Sequence, residues 1–428
     1  MERIRTTEAA RHVGQRVRVE GWLHAARPLG GVTFLIIRDG WGTLQAVFKT
    51  SEPLPTTAET VIAVEGLVSE QPRAQGQVEL IEPTVTVLTE VGEPPPVTLS
   101  KRTLKASLPT LLDHAPVTLR HPTRRAVFRL SAAAMAGFRR TLEEHGFTEI
   151  QTPKIVASAT EGGANVFQLD YFGTPAFLAQ SPQFYKQTMV GVFERVFEVG
   201  PVFRAEPHAT ARHINQYVSM DVELGFIDNH TTVMRWVQVV LSGVFDTIAQ
   251  RCPEELELLG AELPEVPAEI PAVHFREARA MLAEQIGAPR EGVDLTPEEE
   301  RWLGQWAWEE HGSAFLFVVG YPMAKRPFYT HPDPAAPEFS NSFDLLFRGT
   351  ELITGGQRLH RLADYEAALE RAGLPEAPFR HYLEAFRYGM PPHGGFAIGL
   401  ERLLMQLLGA PNLRLTTLFP RDMNRLAP

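Results

Sequence analysis

The 428-residue chain contains a single cysteine, Cys252, so no intrachain disulfide framework can form and the fold must rest on its core. It has no apolar run long enough to span a bilayer, and the residues after Met1 are polar and charged rather than leader-like. A reducing, cytoplasmic setting with no membrane partner is therefore expected. Basic charge is not in excess: 41 Lys and Arg stand against 51 Asp and Glu, a formal net charge of −10. That argues against nucleic-acid binding through bulk charge. A local basic surface stays possible, because screening confines exposed charges to roughly 10 Å. The chain has neither a GxxxxGK(S/T) phosphate loop nor a GxGxxG dinucleotide fingerprint, and its 14 histidines show no zinc spacing. No catalytic triad, internal repeat or low-complexity tract is apparent.

Apolar residues make up 44% of the chain and charged residues 21%, as in ordinary soluble proteins, and the length suffices for two or three domains. Residues 1–95 are expected to be all-β. Segments 17–23, 33–38, 43–48, 60–68 and 77–89 are rich in Val, Ile, Leu and Thr, and turn signals at 28–31, 39–40 and 75–76 separate them. Short strands at this density predict a small barrel of the OB-fold type. Glu93-Pro94-Pro95-Pro96 marks a stiff boundary, and residues 96–121 form a hinge carrying Lys101, Arg102 and Lys105, with Arg120, Arg124 and Arg125 close behind. From 122 to 428 the pattern is mixed. A helix is predicted over 123–145 with Gly146 as its C-cap, a strand over 147–153 stopped by Pro153, a helix over 181–192, and strands over 339–347 and 351–358. Residues 228–335 are helix-rich without an interpretable motif and read as insertion or scaffold. The fold class is α+β.

The most informative stretch is 203–223, FRAEPHATARHINQYVSMDVE. Read as two strands joined by a basic loop, it places Val202, Arg204 and Glu206 on one face of the first strand. Tyr217, Ser219, Asp221 and Glu223 share a face of the second, backed by Val218, Met220, Val222 and Leu224. The loop adds His208, Arg212 and His213. A ring, basic groups and carboxylates suit a ligand with a flat base, phosphates and a metal ion, though a surface hairpin with ordinary charge pairs fits too. Glu161-Gly162-Gly163 is a flexible loop headed by a carboxylate, or a plain turn. In QSPQFYK, Ser181 reads as an N-cap before Pro182, and Gln183 and Lys186 share a helix face able to hold a carboxylate, or simply an exposed helix start. Asp344, Glu351 and Thr354 offer hard oxygen ligands suited to Mg²⁺. Arg358, after Gly355-Gly356, can grip an acidic molecule in bidentate fashion. In GGFAIGLER the glycines admit a close strand-to-helix entry with Arg402 in the first turns, a position equally open to a surface arginine.

Taken together, these segments closely resemble class II aminoacyl-tRNA synthetases. FRAE, ARH and SMDVE resemble motif 2, GFAIGLERLLMQLLG motif 3, and GFTEIQTPKI, with Pro153, the dimer-forming motif 1. QSPQFYKQ and ITGGQRLH are similar to aspartyl-tRNA synthetases, and VEGWLHAARPLGGVTFLIIRDGWGTLQAVF to their anticodon-binding OB domain. The resemblance implies an OB barrel followed by an antiparallel catalytic sheet flanked by helices, in a homodimer. It also implies two-step chemistry: aspartate and ATP give aspartyl-adenylate, and the tRNA 3′-terminal ribose then takes the aspartyl group.

The roles it implies are these. Arg204 and Arg402 form the catalytic pair, Arg204 on the α-phosphate and Arg402 with His213 on the β- and γ-phosphates. Arg212 and Glu351 complete the ATP site, Glu206 reads the adenine amino group, and Tyr217 stacks on adenine where the family commonly has Phe. Asp344, Glu351 and Thr354 hold Mg²⁺. Lys186 and Arg358 receive the side-chain carboxylate of aspartate, Asp221 orients them, and Thr354 borders that site. Ser181, Gln183 and a mobile Glu161 serve the α-ammonium. In the barrel, Phe34 stacks on an anticodon base with Gln45, Arg27 and Glu79 nearby. Gln216 departs from the family's usual Glu. The large bacterial-type insertion between motifs 2 and 3 is missing, and the compact layout resembles archaeal-type enzymes, some of which charge both tRNA(Asp) and tRNA(Asn). The expected function is therefore aspartylation of both, with an enzyme restricted to tRNA(Asp) as the alternative. Asparaginyl-tRNA synthetase is a further alternative, disfavoured because two cations suit a carboxylate better than an amide. An enzyme making free asparagine is disfavoured by the barrel, and a non-enzymatic binder by Arg204, Asp344, Glu351 and Arg402.

Overall fold

The computed structural model describes residues 2–49, 54–157, 165–208, 210–289 and 291–428, the side chain of Gln75 excepted. It divides into two compact units, Met1–Pro122 and Thr123–Pro428. The first is built from β1 (Arg3–Ile4), β2 (Arg16–Leu29), β3 (Val32–Arg38), β4 (Thr43–Lys49), β5 (Val61–Glu70) and β6 (Val78–Thr89). Their order is β1-β2-β3-β4-β6-β5, and a further β2–β5 pairing closes the barrel. Alternation explains its core: Val17, Val19 and Leu23, Leu35 and Ile37, and Leu44, Ala46 and Phe48 point inward at every second position. β2 runs beyond the predicted 23 to Leu29, because an irregularity between Leu23 and Ala25 resets the register and lets the strand curve onward against β3.

The second unit centres on an eight-stranded sheet among the described residues. Its strands are β7 (Thr148–Glu149), β11 (Arg195–Phe203), β12 (Gln216–Gly225), β13 (Ala272–His274), β14 (Phe315–Val319), β15 (Ser342–Phe347), β16 (Thr350–Gln357) and β17 (His393–Gly399). The order is β13-β14-β15-β16-β17-β12-β11-β7, antiparallel except at β13 and β7. A separate small sheet holds β8 (Ile155–Val156), β9 (Gln168–Tyr171) and β10 (Thr174–Leu178). Helices α1 (Pro122–Glu144) and α3 (His230–Arg251) contribute to the core beneath the large sheet, while α2 (Gln183–Phe193) brings polar residues to the site. Val233, Val237, Val240, Leu241, Val244 and Ile248 form the apolar stripe of α3, at helical spacing. Gly137 permits the helices to touch: a Cβ there would meet the Thr247 side chain at 2.8 Å and Val244 Cα at 2.9 Å. Among the described residues no helix is long and apolar enough to cross a membrane.

The 228–335 region supplies α3, α4 (Pro297–His311), β13 and β14, so part of the main sheet and core comes from residues without a recognisable motif. Other expectations shift locally. The predicted 147–153 strand is only the two-residue β7, because Thr152 turns its backbone N (3.3 Å) and Oγ1 (2.7 Å) to the Glu198 carboxylate instead of continuing the ladder. α2 starts one residue later than the predicted capping: Pro182 is the N-cap, and Ser181 Oγ accepts from Gln183 N at 3.2 Å. β11 stops at Phe203, so Arg204 and Glu206 lie in the loop rather than on a strand face. Asn215 Nδ2 holds that loop by donating to the carbonyls of Arg204 (2.7 Å) and Glu206 (3.3 Å).

Candidate active site

β12 presents Tyr217, Ser219, Asp221 and Glu223 on one face, while Met220, Val222 and Leu224 enter the core. That polar face borders a cavity of ≈460 Å³. Ser181, Gln183, Lys186, Arg204, Glu206, Arg212, His213, Tyr217, Asp221, Asp344, Glu351, Thr354, Arg358 and Arg402 all line it. Glu161 falls outside the described residues. Gln216 is exposed at the start of β12, opposite Phe203.

At one end of the cavity, Lys186 Nζ lies 3.0 Å from Asp221 Oδ1 and 3.4 Å from Glu223 Oε2. It also donates to the carbonyls of Val222 (3.4 Å) and Phe396 (3.3 Å). Arg358 donates through Nε to Glu223 Oε1 and through Nη2 to Gly395 O, both at 3.0 Å. Asp221 thus contacts Lys186, whereas Glu223 joins both cations. Burial alone would raise the pKa of Glu223, but the charges of Arg358 and Lys186 outweigh it and hold the carboxyl below its usual range. Ser219 Oγ fixes the other oxygen of Asp221 at 2.5 Å. Glycine makes room for this cluster: a Cβ on Gly395 would stand 2.2 Å from Glu223 Oε2. Gly355 also borders the cavity, and a Cβ there would meet the Phe343 ring at 2.5 Å and Phe396 Cβ at 2.8 Å.

At the opposite end Arg204 sits over the Tyr217 ring, 5.8 Å from its centroid. Arg402 Nη1 donates to Glu351 O at 3.0 Å and lies 3.7 Å from its Oε1. His213 Nε2 is 3.4 Å from Glu206 Oε2. Burial lowers the His213 pKa and the charge of Arg402 reinforces this, against Glu206. Glu401 accepts the Val218 N–H with both oxygens at 3.1 Å, tying the helix of residues Leu400–Leu408 to the strand that carries Tyr217.

Asp344 and Thr354 are cross-strand neighbours on β15 and β16, and Thr354 Oγ1 donates to Glu351 Oε1 at 2.9 Å. Burial raises the Asp344 pKa, opposed by Arg326 and reinforced by Glu351. For Glu351 burial acts the same way, but Arg402 and the Thr354 hydroxyl prevail and the pKa falls. Arg326 Nη2 donates to Asp344 Oδ1 at 3.0 Å beneath the Tyr321 ring. Arg212 Nη1 lies 3.7 Å from Glu300 Oε2, which accepts from Glu351 N at 3.3 Å. Burial and then Glu351 push Glu300 up to about 7. Sequence reasoning missed Arg326 and Glu300, which belong to the motif-free region. Alternation placed Glu223 on the site face but gave it no duty.

On the barrel, Arg27 pairs with Phe34 across β2 and β3, and Gln45 pairs with Glu79 across β4 and β6. Leu35, Ile37, Leu44 and Ala46 point inward, so Phe34 and Gln45 share the outer face. Gln45 Nε2 donates to Glu79 Oε2 at 2.8 Å. The basic cluster after the linker is partly engaged: Arg120 pairs with Glu59 at 3.0 Å, and Arg124 donates to Leu415 O at 2.8 Å.

Residues 107–423 match the family described as tRNA synthetases class II (D, K and N), and residues 17–88 match the OB-fold nucleic acid binding domain. The chain is 47% identical to an aspartate–tRNA(Asp/Asn) ligase of Thermus thermophilus, over 100% of both proteins. It is 40% identical to an aspartate–tRNA(Asp) ligase of Thermococcus kodakarensis, over 97% of each. Among solved structures, asparaginyl-tRNA synthetase from Pyrococcus horikoshii complexed with asparaginyl-adenylate matches with a TM-score of 0.91 at 30% identity, over 100% of both chains. Aspartyl tRNA synthetase from Entamoeba histolytica matches with a TM-score of 0.87 at 31% identity, over 100% of this chain and 93% of that one. With the family model spanning the sheet and its cavity, and full-length relatives well above 30% identity, the chain belongs to the aspartate–tRNA ligase family of class II aminoacyl-tRNA synthetases.

Proposed function

We propose that the protein attaches L-aspartate to both tRNA(Asp) and tRNA(Asn) through aspartyl-adenylate. One observation carries the choice of amino acid: Lys186 and Arg358 both line the cavity and converge on the fully buried Glu223, with Asp221 on the lysine. The long bonds from Lys186 to the Val222 and Phe396 carbonyls are those a substrate carboxylate would replace. Ser181 and Gln183 serve the α-ammonium, with Glu161 as an additional candidate. The α-carboxylate of aspartate attacks the α-phosphorus of ATP, and pyrophosphate leaves with the bonding electrons. Arg204 stabilises charge on the α-phosphate, and Arg402, His213 and Arg212 charge on the leaving pyrophosphate. Tyr217 stacks on adenine and Glu206 meets its amino group.

The hard oxygen donors of Asp344, Glu351 and Thr354 fit Mg²⁺. Mg²⁺ usually keeps several waters and shares its ligands with substrate phosphates, so a few such protein oxygens suffice. When bound, Mg²⁺ would neutralise phosphate charge. The 2′- or 3′-hydroxyl of the tRNA terminus then attacks the adenylate carbonyl and AMP departs. Phe34, Gln45, Arg27 and Glu79 form the anticodon patch. Charging of tRNA(Asn) is supported by the names of the most similar relatives. The reading includes a homodimer, through the segment around Pro153, in the cytoplasm. Aspartate-dependent ATP–pyrophosphate exchange without tRNA tests the first step. Aminoacylation of purified tRNA(Asp) and tRNA(Asn) transcripts tests the second: comparable charging supports the dual reading, and rejection of tRNA(Asn) removes it.

A further inference from the structure

Gln183 lines the cavity, yet its amide is held from behind by buried groups that end on main-chain carbonyls. His393 Nδ1 lies 2.8 Å from Pro391 O. A carbonyl only accepts, so Nδ1 bears the proton and Nε2 of the neutral ring is an acceptor. The ring is fully buried, and burial pushes its pKa down to about 4 against the opposing charge of Glu223. The Gln187 atom 2.9 Å from that Nε2 must therefore be the amide nitrogen. The same nitrogen donates to Tyr365 OH at 3.1 Å, whose own proton goes to Leu359 O at 2.9 Å. Gln187 Oε1 is thus turned toward Gln183, 2.8 Å from its amide nitrogen. Tyr382 OH stands 3.0 Å from the same oxygen and 2.9 Å from Tyr365 OH, so its single proton has an acceptor on either side. The His393 contact thus fixes the Gln187 amide, which draws the Gln183 nitrogen toward Gln187 and leaves the Gln183 carbonyl oxygen on the other branch of its amide.

We propose that Gln187 and His393 are positioning residues for the amino-acid substrate: they lock the Gln183 amide so that it presents an acceptor to the ligand's α-ammonium. The inference rests on the reading that Gln183 receives that ammonium. Without Gln187, Gln183 can face the ammonium only by leaving its own NH₂ buried and unpaired, which lowers an equilibrium constant on the order of five- to a hundredfold.

The test uses the full-length enzyme in aspartate-dependent pyrophosphate exchange, with L-malate as a competitive probe. Malate keeps both carboxylates and replaces the ammonium with a hydroxyl, which can donate or accept and is indifferent to the amide's orientation. Gln187→Leu should raise the KM for aspartate at least fivefold, while the KM for ATP and the inhibition constant of malate stay within twofold. His393→Phe removes the first acceptor of the chain and should give the same selective shift, which covers the case that one variant does not fold. An aspartate KM within twofold of wild type in a folded variant, or an equal weakening of malate, overturns the proposal. Gln183→Leu separates the two readings. If it leaves the aspartate KM unchanged, the ammonium assignment fails. If it raises that KM while Gln187→Leu does not, only the positioning role fails.

Discussion

Arg358 Nε meets Glu223 Oε1 at 3.0 Å, with the arginine side chain only 9% exposed and the glutamate side chain 0%. Glu223 also lies 3.4 Å from Lys186, so one carboxylate sets the direction of both cations. Replacing it with glutamine keeps the shape but removes the carboxylate that joins both buried cations. Loss of a partner from a buried ion pair costs about 3–5 kcal/mol. Glu223→Gln should therefore lower the unfolding free energy measurably and raise the aspartate KM at least roughly tenfold, while the ATP KM moves little. Chemical denaturation and pyrophosphate exchange read the two effects. An unchanged aspartate KM would refute the orienting role.

Lys186 uses its donors on Asp221, Val222 and Phe396 at 3.0, 3.4 and 3.3 Å, and its side chain is 2% exposed. Methionine keeps much of the side chain's length but brings no charge, and it leaves Asp221 with the Ser219 hydroxyl in place of its cation. Aspartate-dependent exchange by Lys186→Met should fall by about two orders of magnitude or more, the equivalent of about 3 kcal/mol. The protein should remain folded but less stable. Near-normal exchange would sink the assignment of this residue.

The sequence made the barrel and the polar face of β12 legible because both obey period-two alternation, visible without tertiary knowledge. Arg204 and Glu206 were assigned to the site but given a strand, since nothing local shows that Asn215 will replace the ladder with side-chain bonds. Glu300 and Arg326 were invisible for a different reason. They reach Glu351 and Asp344 through tertiary contacts, and the one local signal, the Thr296-Pro297 cap before Glu300, announces a helix start rather than a site. The glycines near the pocket were legible as close approaches, but what approaches them at Gly355 and Gly395 is the protein's own rings and the Glu223 carboxylate.

Glu401 gives a pH-dependent stability whose sign follows from burial. Burial pushes its carboxyl from 4.5 up to about 7, against the bond from Val218 N. The folded state thus holds this proton more tightly than the unfolded chain. The stabilisation is full below pH 4.5 and is lost as the pH rises through about 7. A gap of that size corresponds to about 3 kcal/mol. Glu401→Gln cannot ionise, so its stability should fall less than that of wild type between pH 5 and 8. Urea denaturation at both pH values checks this, and parallel losses in the two proteins would contradict it.

Phe34 lies on the outer face of β3, with Arg27 opposite it and Ile36, two residues along, paired to Gln45. An aromatic ring on a sheet face binds an unpaired base by stacking, worth about 1–3 kcal/mol per base. Phe34→Ala should therefore raise the KM for tRNA by roughly five- to a hundredfold. Aspartate-dependent pyrophosphate exchange needs no tRNA and should be unaffected. Stacking tolerates any base, so tRNA(Asp) and tRNA(Asn) should lose affinity in similar proportion. Any discrimination between them would then fall to hydrogen-bonding groups such as Gln45, whose amide is held by Glu79 at 2.8 Å. Aminoacylation kinetics with both transcripts measure this directly. A Phe34→Ala enzyme that charges both tRNAs with unchanged KM would remove the ring from the anticodon site.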